Sequence, residues 1–375
     1  MIVGVCKETQ KNEKRVALTP EGAEKLISLG LDVVIEKNAG IASSYTDRAY
    51  KEAGASIESN RDSILKKSEL FLAVQAPDEE TVKKLKEGTV LVSFIWPLQN
   101  GEYVDLLKKQ GLRAMAMDTI PRISRAQSMD ALSSMSNIGG YKAALMGADL
   151  LDKYMPMMMT AAGTIRPAKV LVLGAGVAGL QAIATAKRLG AVVEAFDIRP
   201  VVKEQVESLG ATFVEVTMEE EETESKGGYA KELSKSNQER QREVIHEHVK
   251  KSDIVITTAL IPGKPAPLLV TKAMVEDMKP GSVVVDIAAE QGGNCEVTEP
   301  GKTINHHGVL IGGPLNIPSS LAFHSSKLYS KNLLSLLELL IEDGKPNFNF
   351  EDEIILNATI TNDGKIVSPF VKDNS

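Results

Sequence analysis

The stretch Val170–Gly179, VLVLGAGVAG, decides how the rest of this chain is interpreted. Four apolar residues lead directly into the glycine-rich turn, and an apolar run suited to a helix follows it. Strand, turn and helix in this order form the context in which GxGxxG predicts a dinucleotide site. The first glycine permits a tight turn, the second lets the backbone approach a pyrophosphate, and the third lets helix and strand pack closely. We expect the cofactor to be bound by Gly174, Gly176, Val177, Ala178 and Gly179.

A second apolar strand, Ala191–Phe196, ends at Asp197. This is the place where an acidic residue meets the adenosine ribose hydroxyls of a bound dinucleotide. A carboxylate there repels a 2′-phosphate and favours NAD over NADP, whereas Arg199 is the opposing signal, because an arginine accepts that phosphate. Since Asp197 lies at the strand end itself, we expect NAD(H), with both Asp197 and Arg199 in the cofactor site.

Composition and charge restrict the class of protein. The chain has 375 residues, which predict about two domains, and its 43% apolar and 25% charged residues are ordinary for a soluble protein. A net charge of −7 argues against nucleic acid as the main partner. Cys6 and Cys295 lie far apart in the sequence and do not have the spacing of metal ligands. With so few cysteines, we expect the chain to belong to the reducing cytoplasm. We expect neither a signal peptide nor a bilayer-spanning segment.

Alternating strands and helices occur on both sides of the glycine turn. Compact apolar runs at Leu70–Val74 and Val90–Ile95 are typical of parallel strands. A long helical segment, Ser128–Tyr154, leads to the second α/β unit, and the amphipathic Phe323–Leu340 crosses back to the first. We therefore predict an α/β fold with two Rossmann-like, doubly wound parallel-sheet domains, joined by long helices, with a cleft between them. The predicted domains are residues 1–135 plus 325–375, and the NAD-binding residues 136–324.

Polar segments at strand ends supply further candidate site residues, because ligands of open α/β sheets bind beyond the carboxyl ends of the strands. We expect the backbone of Ala259 and Leu260, in the loop Thr257–Gly263, to line the ribose–nicotinamide half of the site. Asp286 and Glu290 follow another strand; they either face the reacting ring or, for Asp286, cap the next element.

Other segments allow two interpretations. Pro121–Tyr141 is dense in hydrogen-bonding side chains, which fits a ligand site or an interdomain hinge equally well. The charged insertion Thr217–Lys251 is either a solvated loop or surface helix, or a lid over the nucleotide. The histidines, including His306 and His307, lack zinc-site spacing, so no metal site is expected. We interpret one cluster of methionines as adaptable core filler in preference to a docking surface: Met155, Met157, Met158 and Met159.

Two segments resemble the hallmark sequences of the alanine dehydrogenase and pyridine nucleotide transhydrogenase superfamily. They are Val5–Pro20 (VCKETQKNEKRVALTP) and Val170–Asp197. The stretches PRISRAQSMDALSS, MMMTAAGT, GGYAKE and TTALIPGKPAP look specifically like the NAD(H)-binding component of proton-translocating transhydrogenases. The resemblance covers nearly the whole chain.

This resemblance implies a two-lobed, homodimeric subunit that binds NAD(H). Hydride would pass directly between this cofactor and NADP(H) on a partner component, while a membrane component couples the transfer to proton translocation. The chain would then be cytoplasmic, at the inner face of the cell membrane through its partners. Tyr229 would be the tip of a mobile loop that closes over the nucleotide. By resemblance, the residues that bind and orient the reacting groups are Arg122, Gln127, Asp130 and Ser133.

Two alternatives stay open. Alanine dehydrogenase chemistry needs a lysine and an arginine to hold the substrate, and a histidine to move a proton. Arg15 is present, but the lysine region reads Val74-Gln75-Ala76, the histidine region reads Ile95-Trp96-Pro97-Leu98, and the strand-end aspartate appears as Glu290. Without the lysine and the histidine, such an enzyme lacks its proton shuttle. The other alternative is a non-catalytic NAD(H)-sensing module.

Overall fold

The chain folds into two units, which we call the first unit (Met1–Met135 with Pro318–Ser375) and the second unit (Ser136–Ile317). The structure, a computed structural model, describes residues 1–216, 234–261 and 264–372. The long helix that the sequence predicts after Ser128 runs from Ala131 to Leu150, and its first residues belong to the first unit.

The strands are short, and most of the parallel ones are buried along much of their length, as expected for sheets covered on both faces. In chain order they are β1 (Ile2–Val5), β2 (Asp32–Glu36), β3 (Ser56–Glu58), β4 (Leu70–Leu72), β5 (Val90–Ser93), β6 (Arg113–Ala116), β7 (Met158–Thr160), β8 (Gly163–Ile165), β9 (Lys169–Leu173), β10 (Val192–Phe196), β11 (Thr212–Phe213), β12 (Ile254–Thr257), β13 (Val283–Asp286), β14 (Thr303–His306), β15 (Val309–Gly312), β16 (Ile341–Glu342), β17 (Lys345–Pro346), β18 (Thr359–Asn362) and β19 (Lys365–Ile366).

Several helices begin at a polar residue whose side chain accepts a hydrogen bond from the first turn, such as Thr19, Asn60 and Asp78. Within the described residues, no helix combines the length and the apolar character that a bilayer span requires. The helices are α1 (Pro20–Ser28), α2 (Asp47–Glu52), α3 (Arg61–Lys67), α4 (Glu79–Lys84), α5 (Gly101–Lys109), α6 (Ala131–Leu150), α7 (Val177–Arg188), α8 (Lys203–Ser208), α9 (Lys235–Val249), α10 (Lys272–Glu276), α11 (Ala322–Leu340), α12 (Glu353–Ala358) and α13 (Pro369–Lys372).

The sheet of the first unit has the strand order β3-β2-β1-β4-β5-β6-β18-β19. The six strands from β3 to β6 are parallel, and their order is that of a doubly wound nucleotide-binding sheet. The C-terminal segment completes the sheet, because β18 pairs antiparallel with β6 and β19 with β18. The two stretches of sequence that form this unit therefore share one sheet.

The sheet of the second unit has the order β11-β10-β9-β12-β13-β15-β14. Its first six strands are parallel and repeat the order seen in the first unit, while β14 closes one edge in the antiparallel direction. The predicted α/β fold with two Rossmann-like, doubly wound parallel sheets is confirmed.

In each sheet, successive strands are added on one side of the first strand and then on its other side. The position where the strand order reverses is the switch point. In the first unit this switch point lies between β1 and β4, and in the second unit between β9 and β12. Loops that leave the carboxyl ends of these two strands diverge there, which opens a crevice where ligands of such sheets bind. The candidate site is therefore built from the residues that follow these strands.

One hairpin has no counterpart among the elements that the sequence predicts. The strands β7 and β8 form an antiparallel ribbon of three residue pairs, separate from both large sheets. Met157, beside this ribbon, is 58% exposed, and Met159, within it, is 75% exposed. The expectation that this methionine cluster fills a core is wrong for these two side chains, although Met155 is buried.

Candidate functional site

The glycine turn follows β9 at the switch point of the second unit. Gly174 has φ +99°, a conformation that side chains rarely adopt. A Cβ on Gly179 would lie 1.8 Å from the carbonyl oxygen of Gly174, so only glycine lets the first turn of α7 approach β9 this closely. The hydroxyl of Thr258, at the end of β12, donates to the Gly174 carbonyl at 3.0 Å and ties the two sides of the switch point together.

Gly176 stands apart from the other two glycines. Its φ is −74°, which any residue adopts, and a Cβ built on it would meet, within 4.0 Å and among the described residues, just the tip of Arg199. Protein packing therefore does not demand glycine here. Gly176 is also the N-cap of α7, and within the described chain no side chain caps this helix start. Space beside uncapped first-turn N–H groups suits a phosphate oxygen.

Asp197 follows β10 and is already engaged by protein groups. Its carboxylate accepts the N–H of Ala175, in the glycine turn, at 2.7 Å. It also pairs with the Arg199 guanidinium through two bonds of 2.9 and 2.7 Å and accepts the Arg199 backbone N–H. The sequence leaves open whether Arg199 binds the 2′-phosphate of an NADP molecule. In the structure Arg199 is held by Asp197, and the pair is fixed beside the glycine turn.

The loop after β12 is held by an asparagine from another part of the chain. The fully buried Asn294 accepts the N–H of Ala259 at 3.0 Å and donates to the Ala259 carbonyl at 2.9 Å and to the Pro267 carbonyl at 2.8 Å. The side-chain amide thus pairs with Ala259 as a neighbouring strand would. Leu260 is exposed beside it. No sequence signal points to Asn294, because its role depends on a contact with a residue 35 positions away.

Asp286, at the end of β13, is fully buried. Its carboxylate accepts four hydrogen bonds, from the hydroxyls of Thr257 and Thr298 and from the backbone N–H groups of Ala288 and Cys295. Of the two roles considered for Asp286, the structural one agrees with this geometry, since a carboxylate so enclosed does not reach a ligand. It joins the loops that follow β12 and β13.

Glu290 differs from Asp286. It lies on a 3-10 turn, Ala289–Gln291, and is exposed. Its carboxylate accepts the backbone N–H of Asn316. Glu290 therefore reaches the surface of this unit, in contrast to Asp286.

Helix α6 packs closely on the start of α7. A Cβ on Gly140 would lie 1.9 Å from the carbonyl oxygen of Ala178, whereas a Cβ on the adjacent Gly139 would meet just one atom of Ile287, at 3.9 Å. Gly140 therefore lets α6 support α7, the helix that follows the glycine turn. The sequence pattern predicts only a helical connector here; the Gly-Gly pair inside it is the signal of a close contact.

In the first unit, the segment that carries the predicted residues Arg122, Gln127, Asp130 and Ser133 includes a 3-10 helix, Ser124–Met129, and the start of α6. Asn332, on α11, donates to the Ser128 carbonyl at 2.8 Å. Arg125 forms a two-point ion pair with Asp352, at the start of α12, at 2.7 and 3.0 Å. The C-terminal segment thus fixes this loop, which explains part of its polar density.

The four residues assigned to orienting the reacting groups fall into two classes. Asp130 accepts the Ser133 N–H at 2.8 Å and the Ser133 hydroxyl at 2.5 Å, so the two residues cap α6 together. Arg122 and Gln127 are exposed on the same loop. The capping pair fixes the loop, and the two exposed side chains project from it.

At the switch point of the first unit lies a buried ion pair. Arg15, 3% exposed, donates to both carboxylate oxygens of Glu13 at 2.8 and 2.6 Å, and Gln75 donates to the same carboxylate at 3.0 Å. Burial raises the pKa of Glu13, but the hydrogen bonds and charge of Arg15 outweigh it and lower the pKa to about 2. The carboxylate stays ionised and opposes the arginine charge.

Two further carboxylates border this point. Burial raises the pKa of Glu8 to about 7, against the backbone N–H groups of Val74 and Gln75 that stabilise its charged form. Burial likewise raises the pKa of Asp118 to about 6, although this carboxylate accepts two backbone N–H groups, one of them from Trp96 at 2.9 Å. Trp96 occupies the region where an alanine dehydrogenase would need its histidine.

The predicted cofactor residues of the second unit thus converge. The glycine turn, the Asp197–Arg199 pair and the Ala259 loop are joined by direct hydrogen bonds at one end of one sheet. Tyr229 and the residues 262–263 lie outside the described residues. The four orienting residues belong to the first unit or its boundary helix.

Comparisons with known proteins identify the family. The family model for the N-terminal domain of alanine dehydrogenase/PNT matches residues 4–139, and that for the C-terminal domain matches residues 143–369. An NAD(P) transhydrogenase alpha-subunit chain of Rhodospirillum rubrum is 49% identical over 377 residues, which cover 98% of both chains. The NAD(P) transhydrogenase subunit alpha of Haemophilus influenzae is 48% identical over 98% of this chain and 72% of its own.

A solved structure agrees. The crystal structure of transhydrogenase from Sinorhizobium meliloti matches with a TM-score of 0.86 and 44% identity, over 99% of this chain and 100% of that one. The resemblance inferred from the hallmark segments is confirmed. The chain belongs to the alanine dehydrogenase/PNT family.

Proposed function

We propose that this chain is the NAD(H)-binding subunit of a proton-translocating transhydrogenase. In this proposal hydride passes directly between NAD(H) bound here and NADP(H) on a partner component, and a membrane component couples the transfer to proton translocation. The chain works in the cytoplasm, at the inner face of the cell membrane, through these partners. The names of its relatives from Rhodospirillum rubrum and Haemophilus influenzae support the assignment.

The observation that carries the proposal is the arrangement around Arg15. An amino-acid dehydrogenase of this family must bind a substrate carboxylate and move a proton there. Here Arg15 is paired at two points with the ionised Glu13, and Gln75 stands where a lysine is needed. Trp96 stands in the region of the histidine. Because Glu13 neutralises Arg15, little net positive charge remains to bind a substrate carboxylate. Neither Gln75 nor Trp96 can transfer a proton to or from a substrate.

The second unit fits a dinucleotide. The space beside Gly176 and the uncapped start of α7 would receive the pyrophosphate. The Asp197 carboxylate already accepts four protein hydrogen bonds, so it would exchange one of them for a ribose hydroxyl, and its negative charge would favour NAD(H) over NADP(H). Ala259, fixed by Asn294, would present its backbone to the nicotinamide half, with Leu260 beside it.

The dinucleotide supplies the hydride, so the chain's own residues act by positioning. Direct transfer between two nicotinamide rings depends on their distance and alignment and needs no protein acid or base. Arg122 and Gln127, exposed on a loop fixed by the Asp130–Ser133 cap, would orient the rings and the partner's dinucleotide. Tyr229 would close over the bound cofactor as the tip of a lid.

The test combines this chain with the NADP(H)-binding and membrane components of a transhydrogenase in sealed vesicles. NADH-dependent reduction of NADP+ should appear only when all components are present. Arg122→Ala should slow the transfer at saturating NADH by at least about tenfold, because a ring-orienting contact is lost. Arg48→Ala removes an exposed arginine that pairs with Glu52 one turn along α2, and it should leave the rate unchanged.

Other outcomes would favour the alternatives. Steady production of NADH from alanine by this chain alone would make it an amino-acid dehydrogenase. Tight NADH binding without hydride transfer in the complete mixture would make it an NAD(H)-sensing module. Equal rates for Arg122→Ala and the unmodified chain would remove the role assigned to that residue.

We also propose that the subunit is a homodimer whose contact includes the β7–β8 hairpin. Among the described strands the hairpin pairs with neither large sheet, and Met159 and Ile165 on it are exposed. Exposed apolar side chains on a separate ribbon are typical of an interaction surface. A second copy of the chain is the occupant that the family resemblance implies.

A further inference from the structure

The fold brings together three metal-ligating side chains that are far apart in the sequence. Glu276 is the last residue of α10, and His306 and His307 lie at the turn between β14 and β15. The Nε2 atoms of His306 and His307 lie 3.3 and 3.5 Å from the same carboxylate oxygen of Glu276. All three candidate ligand atoms lie within 4.8 Å of one another.

The two separations between histidine nitrogen and carboxylate oxygen match the ligand shell of one metal ion. Zn²⁺ binds imidazole nitrogen and carboxylate oxygen at about 2.0–2.1 Å, which places tetrahedral ligands roughly 3.3 Å apart. Two imidazoles and a carboxylate suit zinc and its borderline neighbours, cobalt, nickel and copper, rather than calcium or magnesium. We propose that Glu276, His306 and His307 form a surface site for a divalent transition-metal ion of the zinc class.

The backbone holds the two histidines in place. His307 and Gly308 form a two-residue hairpin turn with φ +52° and +83°. The carbonyl of Gly308 accepts the Gly281 N–H at 2.8 Å, and this anchors the turn beside the segment that follows α10. His306 is mostly buried and His307 is 61% exposed, so the site opens to solvent on the side of His307. A fourth ligand, water for example, can enter from that side.

One neighbouring charge works against a cation. The Lys272 ammonium lies 3.9 Å from the same Glu276 oxygen, one turn back on α10. Because it is exposed, it can swing away when a metal binds, at a cost in affinity. This gives the proposal a signature that a folding defect would not mimic: removal of the lysine charge should strengthen metal binding.

The site lies away from the candidate nucleotide site within the second unit. The hairpin turn precedes β15 and α10 precedes β13, and both of these strands run parallel to β9. The metal ligands are therefore at the amino ends of the parallel strands, whereas the glycine turn follows a carboxyl end. A bound metal would link the β14–β15 hairpin to α10 without contacting the dinucleotide.

The test titrates the whole chain with Co²⁺, followed by its visible absorption, and with Zn²⁺ by calorimetry. One ion per chain should bind with a tetrahedral cobalt spectrum and without a thiolate band, since burial raises the pKa of Cys6 and of Cys295. Glu276→Gln, His306→Ala and His307→Asn should each weaken binding at least tenfold. Asparagine is chosen at position 307 because it tolerates the left-handed conformation.

Controls separate this site from other histidines. His324→Ala, which changes a histidine of the first unit, should leave the titration unchanged, and Lys272→Gln should raise the affinity several-fold. Zn²⁺ should slow amide exchange in residues 303–312 and leave NADH affinity within twofold. No saturable binding, or binding that is indifferent to His306→Ala and Glu276→Gln, would overturn the proposal.

Discussion

Among single residues, Gly176 bears most directly on cofactor binding. Its backbone conformation is ordinary and its surroundings leave room for a methyl group, so the folded chain itself does not require glycine there. We propose that glycine is needed there for a ligand that approaches from outside, the pyrophosphate of the dinucleotide. Gly174 and Gly179, in contrast, are required by the fold whether or not a nucleotide binds.

Gly176→Ala separates these two requirements. We expect the free energy of unfolding to change by less than about 0.5 kcal/mol. NADH affinity should fall at least about tenfold, because the methyl group would occupy the pyrophosphate position. Calorimetric titration and urea unfolding measure the two quantities, and Gly101→Ala, another glycine with open space around it, is the control. An unchanged NADH affinity would contradict the pyrophosphate position.

Asp197 should set the preference between the two dinucleotides. Asp197→Ala removes the charge that repels a 2′-phosphate and releases Arg199 from its ion pair. We expect the ratio of NADPH to NADH affinity to rise at least about tenfold. Glu194→Ala is the control, since Glu194 lies on β10, three residues before Asp197, and pairs with His248 instead. An unchanged ratio of affinities in Asp197→Ala would mean that the Asp197–Arg199 pair does not discriminate between a ribose hydroxyl and a 2′-phosphate.

Glu8 should make stability depend on pH. Its pKa is raised from 4.5 to about 7, so the folded chain holds this proton more tightly than the unfolded chain does. The stabilisation is complete below the unfolded pKa and is lost as pH rises through about 7. Glu8→Gln should therefore be more stable than the unmodified chain by up to about 3 kcal/mol at pH 8.5 and gain little at pH 4.5. Equal differences at both pH values in urea unfolding would contradict this.

At the residue scale, spacing predicts which residues gather at the glycine turn but not how they are paired. Asp197 and Arg199 follow a strand two residues apart, a pattern equally compatible with an arginine that serves a phosphate. The structure pairs them. Asn294 escapes prediction altogether, because it is a single polar residue 35 positions from the peptide it holds.

At the scale of elements, the contact between α6 and α7 shows how the helix that follows the glycine turn is supported. Gly140 brings the two helices together at the carbonyl of Ala178, inside the first turn of α7. A neighbouring glycine, Gly139, lies in the same helix without such a contact and provides a matched comparison.

Gly139→Ala and Gly140→Ala should have opposite effects. Alanine favours a helix over glycine by about 1 kcal/mol, so Gly139→Ala should stabilise the chain slightly. Gly140→Ala should cost about 2 kcal/mol, because its Cβ would force α6 away from Ala178, and it should also weaken NADH binding. Urea unfolding and NADH titration of the two variants measure this. The prediction fails if both substitutions stabilise equally.

Element boundaries follow the apolar pattern where strands are buried and depart from it where they are exposed. The strands β5, β9 and β13 are predictable because continuous apolar residues mark parallel strands. The three-residue strands β7 and β8 have no such run. Their stability comes from pairing with each other and, in our proposal, from contact with a second copy of the chain. For this reason the sequence alone does not distinguish the exposed methionines of the hairpin from core residues.

At the scale of the whole molecule, the exposed hairpin should decide the oligomeric state. Met159→Asp with Ile165→Asp places two charges on the proposed dimer contact, where burial would be costly. We expect sedimentation to give a dimer for the unmodified chain and a monomer for the double variant, with unfolding of each chain little changed. Leu328→Asp, an exposed apolar position on α11, is the control. A monomeric unmodified chain would refute the dimer.

The architecture of two doubly wound sheets is predictable because strand and helix alternate along both halves of the sequence. Clusters formed by separate loops are not predictable. His306 and His307 have no metal spacing with any near neighbour in sequence, and Glu276 joins them only because α10 and the β14–β15 turn end at the same edge of a sheet. Such a cluster becomes visible once strand order is known.

The edges of the second sheet have a bearing on solubility. One edge is β11, which is two residues long, and the other is the four-residue, antiparallel β14, flanked by Lys302 and by the turn at His307. Short edges with charged flanks make poor templates for strands of other molecules. The apolar interior strands of this unit are thereby kept from joining sheet to sheet, so the chain can accumulate at high concentration without aggregating through this sheet.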